Sequence, residues 1–144
     1  MSETATQSQS ATMTVLIYSD DATTRQKVRL ALGRRPAKDL PLLEYLECAT
    51  HPVVIDALDA GGIDLCVLDG ETAPIGGMGV CRQIKEEIYD APPVLLLIGR
   101  STDVWLAAWS RADAVVAHPL DPIELADAAA GLLRARGERR AIAR

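Results

Sequence analysis

Phenylalanine is absent from this chain of 144 residues, and the aromatic side chains amount to three Tyr and two Trp. Against that background Trp105 and Trp109, four apart, stand out as two large side chains on one helix face. Cysteine and histidine are also scarce. Cys48, Cys66 and Cys81 are widely spaced with no CxxC pair, and two His are too few to complete a zinc site. The thiols read as buried and reduced. Positive charge is in deficit, with a formal net charge of -5, and this argues against a nucleic-acid backbone as the main partner. The deficit is uneven: Arg134 to Arg144 holds five Arg against one Glu, so a basic terminal run follows an acidic body.

Long apolar runs are missing as well. Val94 to Ile98 has the length of a strand, well short of a membrane-spanning helix. Met1 to Thr12 is Ser, Thr and Gln with a single Glu, and lacks the basic start and apolar centre of a signal peptide. It reads as a disordered lead-in to one domain over residues 13–133, with 134–144 as a basic tail. The expected setting is cytoplasmic.

What is present is a regular alternation of short apolar runs and amphipathic stretches. Met13 to Tyr18, Leu42 to Ala49, Ile63 to Asp69, Val94 to Ile98 and Ala114 to Ala117 read as strands. Helices are expected from Thr23 to Leu32, Val53 to Asp59, Met78 to Tyr89, Asp103 to Ala112 and Pro122 to Arg136. Five strands each followed by a helix imply a doubly wound five-stranded parallel sheet covered on both faces. Its strand ends would gather Ser19-Asp20-Asp21, Asp69-Gly70-Glu71, Ile98-Gly99 and His118-Pro119 at one edge. In open α/β sheets ligands bind at that edge.

Clustered carboxylates repel, and a hard divalent cation with oxygen ligands is the simplest way to keep them ionised. Mg²⁺ on Asp20, Asp69 and Glu71, or Asp21, fits that description. The alternative is that these acids cap helices and turns and hold no metal. Gly76-Gly77-Met78-Gly79 has the look of a phosphate-cradling loop, and flavin-binding proteins share this fold class. No Lys-Ser or Lys-Thr follows it, and the acids after the first strand would repel a phosphate. Cys81 paired with His51 or His118 as a nucleophile is a further class, set against a core cysteine on a packed helix. The reading is of a protein that is not an enzyme.

From Val15 to about Leu133 the chain resembles the receiver domains of bacterial two-component response regulators. The resemblance rests on Ser19 and Asp20 after the first strand, Asp69 ending the third, Gly77 eight positions on, and Arg82 and Ile84 in the helix that follows. It implies a flavodoxin-like sheet of order 2-1-3-4-5, a phosphoacceptor at Asp69, Mg²⁺ beside it, and a sensor histidine kinase as one partner. The sequence departs from the family where the chemistry happens. Ser19 stands for the first metal-binding acid, Ile98 for the hydroxyl that bonds the phosphoryl group, Val115 for the switching aromatic and His118 for the Lys. Pro74 falls one place later than the family's loop Pro.

Two readings follow. In one, Asp69 still accepts a phosphoryl group, with Glu71 and His118 compensating. In the preferred one, the fold is an atypical, stand-alone receiver that acts by protein–protein contact without phosphorylation, as a regulator or as an accessory subunit of a larger assembly. The resemblance also implies partner contact on the face made by the fourth helix, fifth strand and fifth helix. Trp105 and Trp109 are the candidate anchors there, and neither nucleic acid nor a membrane span is expected.

Overall fold

A computed structural model describes residues 12–72, 76–99 and 104–143. The expected lead-in up to Ala11, the loop proline Pro74 and the helix start at Asp103 lie outside the described residues. The elements run β1 (Met13–Tyr18), α1 (Ala22–Leu32), β2 (Leu43–Cys48), α2 (His51–Ala60), β3 (Leu65–Asp69), α3 (Gly77–Glu87), β4 (Val94–Ile98), α4 (Val104–Ser110), β5 (Ala114–Ala117) and α5 (Pro122–Ala143). All strand pairs are parallel, in the order β2-β1-β3-β4-β5. This is the expected doubly wound sheet.

Side chains alternate across each strand, so the three central strands feed two separate apolar layers. Val15, Ile17, Leu65, Val67, Leu95 and Leu97 face α1 and α5, meeting Val28, Leu32, Leu125 and Leu133. Leu16, Tyr18, Cys66, Leu68, Leu96 and Ile98 face the other way, against Val54 and Leu58 of α2 and Val80, Cys81 and Ile84 of α3. Each fully buried aliphatic side chain contributes roughly 1.5–3 kcal/mol. Apart from Tyr18, the fully buried side chains of these two layers are aliphatic or cysteine.

Local chemistry sets the ends of the helices. Asp21 is the N-cap of α1, its Oδ1 accepting from the Thr23 amide at 2.9 Å, and Asp121 does the same for α5 through the Ile123 amide at 2.9 Å. Pro52 sits in the first turn of α2, which therefore starts at His51, ahead of the expected Val53. Helix α5 runs to Ala143, past the expected end at Arg136 and without a break at Leu133. Its arginines explain the extension. Arg134 pairs with Asp39 at 2.7 Å, Arg139 with Asp90 at 2.9 Å, and Arg140 with the buried Asp64. The basic run belongs to a helix fastened to acids around the amino-terminal edge of the sheet.

Candidate functional site

The carboxyl ends of β1, β3 and β5 converge on Asp69. This residue closes β3, is only 3% exposed, and pairs in register with Leu97 of β4. Its two carboxylate oxygens already have donors. Ser19, fully buried after β1, donates its hydroxyl to Oδ2 at 2.8 Å, and the Glu71 amide donates to Oδ1 at 3.0 Å. Both donors are neutral, one a hydroxyl and the other a main-chain amide. Ser19 is held in turn: its Oγ accepts from the Asp21 amide at 3.1 Å, and its carbonyl accepts from Arg25 at 2.6 Å.

The Gly77 position, eight residues after Asp69, has a steric reason. A Cβ there would lie 2.8 Å from the carbonyl carbon and oxygen of Asp69. Only glycine lets α3 start this close to the strand end. The glycine run is therefore the opening of a packed helix, with Gly76 as its cap.

His118 follows β5 and its amide donates to the Ile98 carbonyl at 2.8 Å. The peptide to Pro119 is cis. Its Nε2 lies 3.7 Å from Asp69 Oδ1, beyond hydrogen-bond reach, and is buried without a hydrogen-bond partner among the described residues. Ile98 points into the layer of Leu96, Leu68 and Tyr18, and Val115 packs half-buried against the same layer. Neither side chain has a polar atom to turn toward Asp69.

The remaining acids part company. Asp21 is committed to capping α1, accepting from Thr23 and, at 3.3 Å, from the Thr24 hydroxyl. Asp20 is exposed, and its amide donates to Thr72 Oγ1 at 3.2 Å. The carboxylates of Asp20 and Asp69 nevertheless reach Tyr18, whose phenol is pushed up from its ordinary value by burial first and by those two charges next. Among the described residues no group of three His, Cys, Asp or Glu side chains is arranged to hold a metal ion.

The contacts of Thr72 and Gly99 escape a sequence reading. Thr72 is buried, and its amide donates to the Asp69 carbonyl at 3.2 Å, closing the turn after β3. A hydroxyl residue three places after a strand-ending Asp is a signal that could have marked it. Gly99 gave no such signal, because its contact with the Glu71 side chain depends on another loop.

Cys81 is a core thiol. It donates to the Ser110 carbonyl at 3.2 Å, and burial pushes it up to about 11, which suppresses the thiolate. His51 instead meets Gln83 Oε1 at 2.7 Å. All three cysteines are free and buried.

Trp105 and Trp109 do not fill core. They are 69% and 50% exposed on α4, although large apolar side chains are normally covered. The Arg82 guanidinium lies over the Trp109 ring at 4.7 Å from its centroid and donates to the Trp109 carbonyl at 2.7 Å. The indole is thus fixed in place while open to solvent.

A doubly wound sheet of order 2-1-3-4-5, ending in a buried carboxylate at the edge of its third strand, defines a receiver-type α/β domain. No family model matches the chain. Two curated relatives, from two strains of Mycobacterium tuberculosis and described as uncharacterized response regulatory proteins, are each 53% identical over 126 residues, 88% of this chain and 95% of theirs. This chain belongs to the response regulators of bacterial two-component signalling. Solved structures agree on the fold. A response regulator receiver domain protein from Methanospirillum hungatei superposes with a TM-score of 0.68 at 15% identity, over 88% of this chain and 98% of that one. The signal receiver domain of a signal transduction histidine kinase from Syntrophus aciditrophicus gives 0.71 at 21%, over 85% and 91%.

Proposed function

We propose that this receiver domain works by binding a partner protein through the Trp105 and Trp109 face, with Asp69 serving as a buried structural carboxylate and not as a phosphoacceptor. The observation that carries the reading is the hydrogen bond from Ser19 to Asp69 at 2.8 Å. Where an acid would create a dianionic site that calls for a cation, a hydroxyl neutralises the need for one. Ile98 offers a phosphoryl group no hydrogen bond, and His118 Nε2 stands 3.7 Å away from Asp69. The exposed indoles give the domain an apolar anchor that does not depend on a switch. In this reading the protein turns over no substrate and acts in the cytoplasm as a regulator or as an accessory subunit.

The test is intact-protein mass after incubation with Mg²⁺ and a small acyl phosphate, comparing wild type with Asp69→Asn. No adduct on either protein is the expected result. An adduct on the wild type alone would make Asp69 a phosphoacceptor and a sensor histidine kinase the partner to seek.

A further inference from the structure

Between Asp21 and Asp39 the chain carries six Lys and Arg and no acid, in a protein whose net charge is -5. These residues form α1 and the loop that leads into β2. Arg25 and Arg29 are neutralised by Glu47, each at 2.9 Å. Lys27, Arg34, Arg35 and Lys38 are exposed and have no ion pair among the described residues. The patch therefore keeps a positive charge that its own surroundings leave unanswered.

This patch surrounds a concavity of about 570 Å³ between α1 and the edge strand β2. Leu30, Leu42, Leu43 and Tyr45 give it apolar walls, and Arg29 and Arg34 complete the lining. Leu30 is 73% exposed and Leu42 41%, so the walls are open apolar surface of a kind that folding ordinarily covers. The floor is fixed. The Arg29 guanidinium lies 5.3 Å from the centroid of the Tyr45 ring and donates to Glu47 Oε2 at 2.9 Å, while the Tyr45 hydroxyl donates to the Gly33 carbonyl. Arg34 is different: its guanidinium has no hydrogen bond or ion pair among the described residues. It is a cation left uncommitted beside an apolar hollow.

We infer that this concavity binds a short acidic segment of a partner protein, with an apolar side chain of that segment against Leu30 and Leu42 and its carboxylates on Arg34 and the neighbouring cations. The charges are complementary, and a guanidinium meets a carboxylate through two parallel hydrogen bonds. A nucleic-acid backbone would set phosphates against Glu47 and leave the leucines uncovered. A membrane surface is flat and does not fill a hollow. The hollow lies at the start of β2, whereas Asp69 ends β3, and β2 is the opposite edge of the sheet from β5. The inference thus goes beyond the preceding reading and draws on neither Asp69 nor the indoles.

The probe is a fluorescein-labelled peptide with two Leu set among Asp and Glu, titrated with the full chain and read by fluorescence anisotropy. One control peptide replaces its Leu by Ser, and another replaces its acids by Ser. Wild type should bind the first peptide and lose about tenfold or more in affinity for either control. Arg34→Glu should weaken binding about tenfold and Leu30→Ser several-fold, with circular dichroism unchanged because both side chains are exposed. Arg111→Glu makes the same change of charge at an exposed site ahead of β5 and should bind as wild type does. Raising the ionic strength should weaken the complex. Equal affinity of wild type for all three peptides overturns the proposal, as does unchanged affinity in folded Arg34→Glu. So does binding of duplex DNA or phosphatidylserine vesicles in preference to the acidic peptide.

Discussion

Ser19 and Asp69 lie 50 residues apart in the chain, and the hydroxyl of one donates to the carboxylate of the other at 2.8 Å in the interior. The contact joins the ends of β1 and β3, so it ties the site to two adjacent interior strands of the sheet. It is also where this chain carries a serine in the place that receiver domains give to an acid.

Ser19→Ala should leave Asp69 Oδ2 buried without its donor and cost about 1–3 kcal/mol of stability in urea unfolding. Ser19→Asp should do something different. It sets a second carboxylate against Asp69, so its unfolding midpoint should fall in chelator and recover on adding Mg²⁺. The wild-type midpoint should be indifferent to Mg²⁺.

Trp105→Ala should change stability by less than about 0.5 kcal/mol, as expected of an exposed side chain. Trp109→Ala should cost slightly more, because it also removes the ring under Arg82. Acrylamide should quench most of the wild-type indole fluorescence in the folded state. If Trp109 anchors a partner, Trp109→Ala should weaken that complex by about 2 kcal/mol or more in a titration, with folding unaltered.

The arginines of α5 should be unequal. Arg140 neutralises Asp64, which is 2% exposed and otherwise takes the Thr14 amide at 2.9 Å. Arg140→Ala should therefore cost about 1–3 kcal/mol. Arg134 and Asp39 pair at the surface, and Arg134→Ala should fall within about 0–1 kcal/mol and matter less in high salt. Urea titrations at two ionic strengths separate the two cases.

Stability should decline in alkali. Burial raises the Cys48 and Cys81 thiols from 9.0 to about 11, and burial of Tyr45 raises its phenol from 10.0 to about 12. The unfolded chain therefore loses these protons first. The thiol contribution is fully present below pH 9 and is lost as pH rises through about 11, and that of Tyr45 is present below pH 10 and lost as pH rises through about 12. On the acid side Glu47 is held below its ordinary 4.5 by hydrogen bonding to Arg25 first and then Arg29. Its small, screened contribution is present above that value and disappears as pH falls through the depressed one. Thermal midpoints across pH 3 to 11 should trace both limbs.

The alternation of apolar runs and amphipathic stretches was enough to place five strands, five helices and the residues at each strand end, because burial on both faces demands it. Asp69, Ser19 and His118 were legible as one cluster for the same reason. Gly77 was legible as a position, while its cause, the close approach to the Asp69 carbonyl, required coordinates. Other features depended on elements far apart in sequence. The length of α5 is set by acids at positions 39, 64 and 90, so local pattern ends it too early. The exposure of Trp105 and Trp109 is decided by which face of α4 meets α3, a choice that an i, i+4 spacing leaves open. The donors to Asp69 and the contact of Glu71 with Gly99 come from loops that meet only after the sheet has formed. A strand's periodicity fixes which residues reach an edge, while hydrogen-bond geometry there is a property of the assembled layers.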